Sequence, residues 1–143
     1  MLKKKWKRPQ FRIQQFSANE YIAVCWGVSC NTDAANAWEQ QHGHLVSNHR
    51  PSQCGDVNHQ YLIDLDGDYH ADKMIEVGTS FGDLDCTFYS DSSFNNKINI
   101  SDLNLQNGAP IYWTTTGKIL GFPVTFHHQG NISGYDEKHE NRS

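Results

Sequence analysis

No stretch of the 143-residue chain approaches the ~20 consecutive apolar residues of a membrane-crossing helix, so no membrane span is expected. The start, MLKKKWKRPQFRIQQF, is charged but lacks the apolar run of an ordinary secretory signal. Apolar residues make up only 37%, while Asn, Gln, Ser, Thr and Gly are frequent. That balance disfavours a helical bundle and favours short strands joined by polar loops. There is no internal repeat at a fixed period and no extended low-complexity segment, which leaves a single compact unit as the economical description.

Acidic residues are missing from the first nineteen positions, where Lys3, Lys4, Lys5, Lys7, Arg8 and Arg12 supply half of all Lys and Arg. From residue 13 onward six basic residues face sixteen acidic ones, a formal charge of minus 10. A basic tail on an acidic body attracts phosphate at one end and repels it along the rest, so nucleic acid is not expected as a partner.

The pattern reads as a β-rich α+β fold: a small single domain with one short helix, antiparallel strands and long polar loops. Residues 1–19 form a basic tail, 20–130 the domain and 131–143 a flexible C-terminal tail. EYIAVCWGV reads as a buried strand. Thr32 or Asp33 can cap a helix through AANAWEQQ, with Gly43 as its left-handed stop and Ala34, Ala37, Trp38 and Gln41 on one face. Further strands are expected in QYLIDL, KMIEV, LDCTFYS, KINI, IYWTTT and ILGFPVTFH, separated by turn formers such as DG, FGD and TGK.

The stretch DLDGDYHAD places aspartates at residues 64, 66, 68 and 72. Two unit charges ~4 Å apart repel by ~4 kcal/mol at an effective dielectric of ~20. Either the loop splays into water around an Asp66-Gly67 turn, or it holds a cation. Calcium takes six to eight oxygens; Asp64, Asp66, Asp68 and Asp72 can offer carboxylates and His70 its carbonyl, while Gly67 lets the backbone bend. An EF-hand requires glycine at the sixth position and glutamate at the twelfth, where this chain has Tyr69 and Ile75. The D-x-D-G-D-x-x-x-D order between two strands resembles the calcium loops of FG-GAP repeats in integrin-type propellers. The expected cofactor is therefore calcium, in a structural role.

Four cysteines, Cys25, Cys30, Cys54 and Cys86, are read as disulfide-forming, with a local Cys25–Cys30 bridge leaving Cys54 and Cys86 to tie the long loop to the sheet. In a reducing compartment the same residues are buried thiols. HGHLVSNHRPSQCGDVNH carries His42, His44, His49, Cys54 and His59, all competent zinc ligands, but the spacing fits no compact finger and there is no H-E-x-x-H. The loop is read as solvent-facing. A zinc-dependent or Cys54-dependent hydrolase built on it is the alternative function.

Lys4, Lys5, Trp6, Pro9, Asn19, Glu20, Tyr21, Ile22, Ala23 and Cys25 form a K-K-x-W-x-x-P opening and an N-E-Y-[IV]-A-x-C segment. These resemble the leader-like starts of small exported proteins of gut-dwelling Gram-positive bacteria. The resemblance implies secretion or surface display by a dedicated transporter. Some small proteins of these bacteria are immunoglobulin-binding superantigens, so host immunoglobulin variable domains are the protein partner that this resemblance suggests. Of the aromatic residues, Tyr112 and Trp113 are the expected partner contacts, since alternation turns one of the two outward. The expected function is a non-enzymatic, exported, calcium-stabilised binding protein.

Overall fold

Alternation in VCWGVSC builds the first strand, β1 (Val24–Cys30): Trp26, Val28 and Cys30 enter the main core, while Cys25 faces the other way with Tyr61 and Ile63. The structure, a computed structural model, describes residues 24–44, 49–76 and 86–135. The basic tail, the leader-like segment through Ala23 and the last eight residues lie outside these.

One helix follows, α1 (Thr32–Gln41), and then β2 (Gln60–Asp64), β3 (Lys73–Glu76), β4 (Cys86–Tyr89), β5 (Lys97–Ile98), β6 (Pro110–Ile119) and β7 (Phe122–Tyr135). The seven strands among the described residues join one antiparallel sheet in the order β3-β2-β1-β7-β6-β4-β5. This is the β-rich α+β architecture that the composition implies. Among the described residues no helix is long and apolar enough to cross a membrane.

The main core gathers Trp26, Val28, Leu62, Met74, Ile111, Trp113 and Ile132. Each large apolar side chain buried there contributes about 1.5–3 kcal/mol. Trp113 is completely buried, so of the two expected partner contacts only the half-buried Tyr112 reaches the surface.

Several local features differ from the sequence reading. Asn31, rather than Thr32 or Asp33, caps α1, its side chain accepting from the Ala34 amide at 3.2 Å. The helix buries Ala35 and Glu39 rather than the Ala34–Ala37–Trp38–Gln41 face; a carboxylate sits inside because β7 offers it partners, described below. The turn between the last two strands falls at Leu120 and Gly121, with φ of 50° and 83°, inside what reads as one strand, ILGFPVTFH. Consecutive positive φ values match the twist of a two-residue hairpin, so Gly117 and Lys118 stay in β6. Finally, β7 continues to Tyr135 and pairs Ile132 with Val28 of β1, so residues 131–135 belong to the sheet instead of the tail.

Strand β7 approaches β1 very closely where Gly130 meets Cys30. A Cβ at Gly130 would overlap the Ser29 carbonyl oxygen and lie 2.9 Å from the Cys30 Cα. Glycine at this position lets the chain bring residue 30 beside residue 128.

Candidate metal centre

Cys30 ends β1, and its amide donates to the Cys54 carbonyl at 2.7 Å, which draws the 49–59 segment onto the sheet. Two turns closing on the Arg50 carbonyl, from the amides of Gln53 and Gly55, fold the segment between His49 and Cys54 back on itself. Gly55 fits because a Cβ there would lie 2.8 Å from the Pro51 Cα. The side-chain amide of Asn36 on α1 brackets residue 49, donating to its carbonyl at 3.1 Å and accepting from its amide at 3.3 Å. Helix, loop and strand ends thus converge beside His128 of β7.

The result is a buried group of four side chains, Cys30, His49, Cys54 and His128, whose donor atoms all lie within 4.8 Å of one another. His49 Nδ1 is 3.8 Å from Cys30 Sγ and 3.6 Å from Cys54 Sγ. Tetrahedral zinc with Zn–S of ~2.3 Å and Zn–N of ~2.0–2.1 Å sets S···N separations of about 3.5 Å. The observed spacings match that geometry. Thr115 Oγ1 lies 2.9 Å from His128 Nε2, and the other nitrogen, Nδ1, is buried without a hydrogen-bond partner. The ring stacks on Trp113 and meets His49 edge-on, with centroids 4.9 and 4.7 Å away, which fixes its plane.

The two thiols titrate as a pair. The hydrogen bond between the thiols raises Cys30 and lowers Cys54; burial opposes the Cys54 shift, and His128 and His49 reinforce it. One thiolate is therefore available within the pair. Burial pushes the His128 imidazole down, leaving it neutral and able to ligate.

Glu39 stands behind this group. Its Oε1 is 3.8 Å from His49 Nε2, accepts from the His127 amide at 2.6 Å and lies 3.3 Å from His127 Nδ1, while its Oε2 contacts His44 Nδ1. Burial pushes the carboxyl up, but the His127 amide and the two neighbouring imidazoles outweigh it, and the net shift is downward. His127 shifts down in turn, through burial, against the pull of Glu39.

The disulfides expected from the cysteine count do not form: no disulfide joins any of the four cysteines. Cys25 and Cys30 are five residues apart on one strand and so face opposite sides. Cys86 sits near Met74, its sulfur 3.8 Å from the thioether. Cys54 meets Cys30 instead. Of the loop residues read as solvent-facing, His49 and Cys54 are buried, which also removes Cys54 as an accessible nucleophile; His42 stacks on Trp38 and His59 lies 3.1 Å from Glu76. His128 lies one residue beyond the expected strand ILGFPVTFH and carried no signal in the sequence. The four donors are separated by eighteen, four and seventy-three residues, a spacing that no short motif contains.

In the aspartate loop, Asp64, Asp66 and Asp72 bring carboxylate oxygens within 4.8 Å of each other, and Asp68 stands outside that group. Buried Asp64 accepts from the amides of Asp66, Gly67 and Tyr69, and Asp72 from Leu65. Asp68 accepts from the His70 amide, and the His70 ring reaches the Ser101 carbonyl at 2.8 Å. The Asp68 amide lowers Asp66, but partial desolvation and the charges of Asp68, Asp72 and Asp64 outweigh it and raise its carboxyl.

Comparisons of the chain with protein-family models, with curated proteins and with solved structures find no match.

Proposed function

We propose that this is a zinc-binding domain in which Cys30, His49, Cys54 and His128 hold a structural ion that fastens the 49–59 segment to the sheet. The observation that carries this reading is the convergence of four buried donors within 4.8 Å of one another. Two sulfurs and two imidazoles in tetrahedral spacing suit zinc better than a hard cation. Four protein donors complete the coordination sphere, so the centre is a fastening rather than a catalyst. Thr115 would orient the His128 imidazole through its outer nitrogen, as supporting groups do at such centres.

Elemental analysis of protein purified without added metal tests the reading. One tightly held zinc per chain, lost in Cys54→Ser, supports it. A metal-free protein with undiminished thermal stability would overturn it.

The aspartate loop supports a further proposal, a calcium ion bound by Asp64, Asp66 and Asp72, on the strength of their converging oxygens and the repulsion that raises Asp66. Its test is the calcium response described in the Discussion.

A further inference from the structure

Strand β1 ends at Cys30, and its register with β7 ends at the Cys30–Gly130 pair. Beyond that point the side of β7 that had faced β1 is met by the segment that follows β1. The Asn31 amide donates to the Gln129 carbonyl at 2.7 Å, and Glu39 Oε1 takes the His127 amide. A carboxylate from α1 thus replaces a strand carbonyl, which explains why a helix buries an acidic side chain that is only 2% exposed.

That placement has a chemical consequence. His127 Nδ1, His44 Nδ1 and the Glu39 carboxylate fall within 4.8 Å of one another. We propose that Glu39, His44 and His127 form a second divalent-metal site, separate from the cysteine–histidine centre and open to solvent. Two imidazoles and one carboxylate are the donor set of zinc sites that keep a position for water or substrate.

The surroundings differ from those of the closed centre in the way such a site requires. His44 is 43% exposed, and with Glu39 it lines a cleft of about 580 Å³. The far wall of that cleft comes from the β6–β7 hairpin, where Leu120 and Phe122 are largely exposed, with Val124 and Phe126 below them. Trp38 stacks on His127 at a centroid distance of 4.1 Å and fixes the ring against β7. Gly43, at φ of 81°, reverses the chain after α1 and returns His44 to the carboxylate. The site takes a borderline divalent cation of the zinc type, with its remaining coordination directed to the cleft. None of its donors is among the four of the closed centre, although Glu39 also lies 3.8 Å behind His49.

Titration of metal-stripped protein with zinc, and in parallel with cobalt, tests this, with calcium in excess to keep the titrant off the aspartate loop. The wild type is expected to take two equivalents. The first brings the thiolate-to-cobalt charge-transfer absorption of a sulfur-ligated centre, and the second binds without adding to it. His44→Ala, at an exposed position, is expected to keep the first and lose at least tenfold in affinity for the second. Cys54→Ser is expected to lose the charge-transfer signature. A wild type whose single equivalent carries the charge-transfer signature, or a His44→Ala protein that binds the second as tightly as the wild type, overturns the proposal. A wild type without the charge-transfer signature would strike only the closed centre.

Discussion

Glu39 Oε1 stands 3.8 Å from Nε2 of His49, on the ring's far side from the two sulfurs that face its Nδ1. One helical carboxylate therefore backs a residue of the buried centre while it also meets His44 and His127 nearer the surface. At 3.8 Å this is a charge contact rather than a hydrogen bond, so Glu39 acts on the centre through its negative charge. Glu39→Gln keeps the shape and removes the charge. It is expected to lower zinc affinity at the cysteine–histidine centre, because a negative charge near the ion is lost, measured by competition with a chromophoric chelator, while the thiolate-to-cobalt absorption persists.

Removal of the ion is expected to loosen the 49–59 segment and destabilise the whole sheet. Ligand binding to the native state alone contributes about 4 kcal/mol at a thousandfold excess over the dissociation constant. At roughly 2–4 °C per kcal/mol for a chain near this size, a chelator should lower the thermal midpoint by about 10 °C. Cys54→Ser should show the lower midpoint with or without chelator, in calorimetry at fixed protein concentration.

Gly130→Ala places a methyl group against the Ser29 carbonyl and 2.9 Å from the Cys30 Cα. Backbone cannot yield as a flexible side chain does, so β7 must move away from β1. Overpacking of this kind costs about 1–3 kcal/mol or more. The same movement separates Cys30 from His128, so a fall in zinc content should accompany the fall in midpoint. Gly108→Ala, with nothing near the added group, is the control, its only penalty a backbone at φ of 82°.

The aspartate loop gives a response of opposite sign in two buffers. Asp66 has its carboxyl raised by neighbouring charges, so ionising it opposes folding. Stability from this group is greatest below the ordinary carboxylate range and declines as pH rises through the unfolded and then the folded pKa. Asp66→Asn should therefore raise the midpoint slightly at neutral pH without calcium. With calcium present the wild type should gain stability and the variant should not, as differential scanning fluorimetry of the zinc-loaded protein would read.

Asp91 is the reverse case. The Ser93 hydroxyl and amide, with help from Ser90 and Asn96, hold its carboxyl down at about 2. A lowered folded pKa contributes stability above the ordinary carboxylate value and loses it as pH falls toward 2. An NMR titration should find Asp91 among the last carboxylates to protonate, and Asp91→Asn should abolish the difference.

Local chemistry makes much of the scaffold legible. Residues VCWGVSC and QYLID announce strands through β-branched and aromatic content, and Asn-Thr-Asp before an alanine-rich run announces a helix start. The hairpin turn is harder to place, because Gly117 looks like a turn former whereas the strand twist selects Leu120–Gly121. Glu39 cannot be read as buried from its own segment, since the donor that makes burial possible belongs to a residue 88 positions away.

What the sequence determined alone is what depends on neighbours along the chain: the period-2 strands, the capped helix, and an aspartate loop whose carboxylates cap its own amides. Only the tertiary structure decided which cysteines meet and which histidines join them. Cys30 and His128 come together because β1 and β7 are adjacent in the sheet and glycine lets them close. Donor atoms bind a metal by separation in space, and a spacing of seventy-three residues becomes a few ångströms only after the strands have paired.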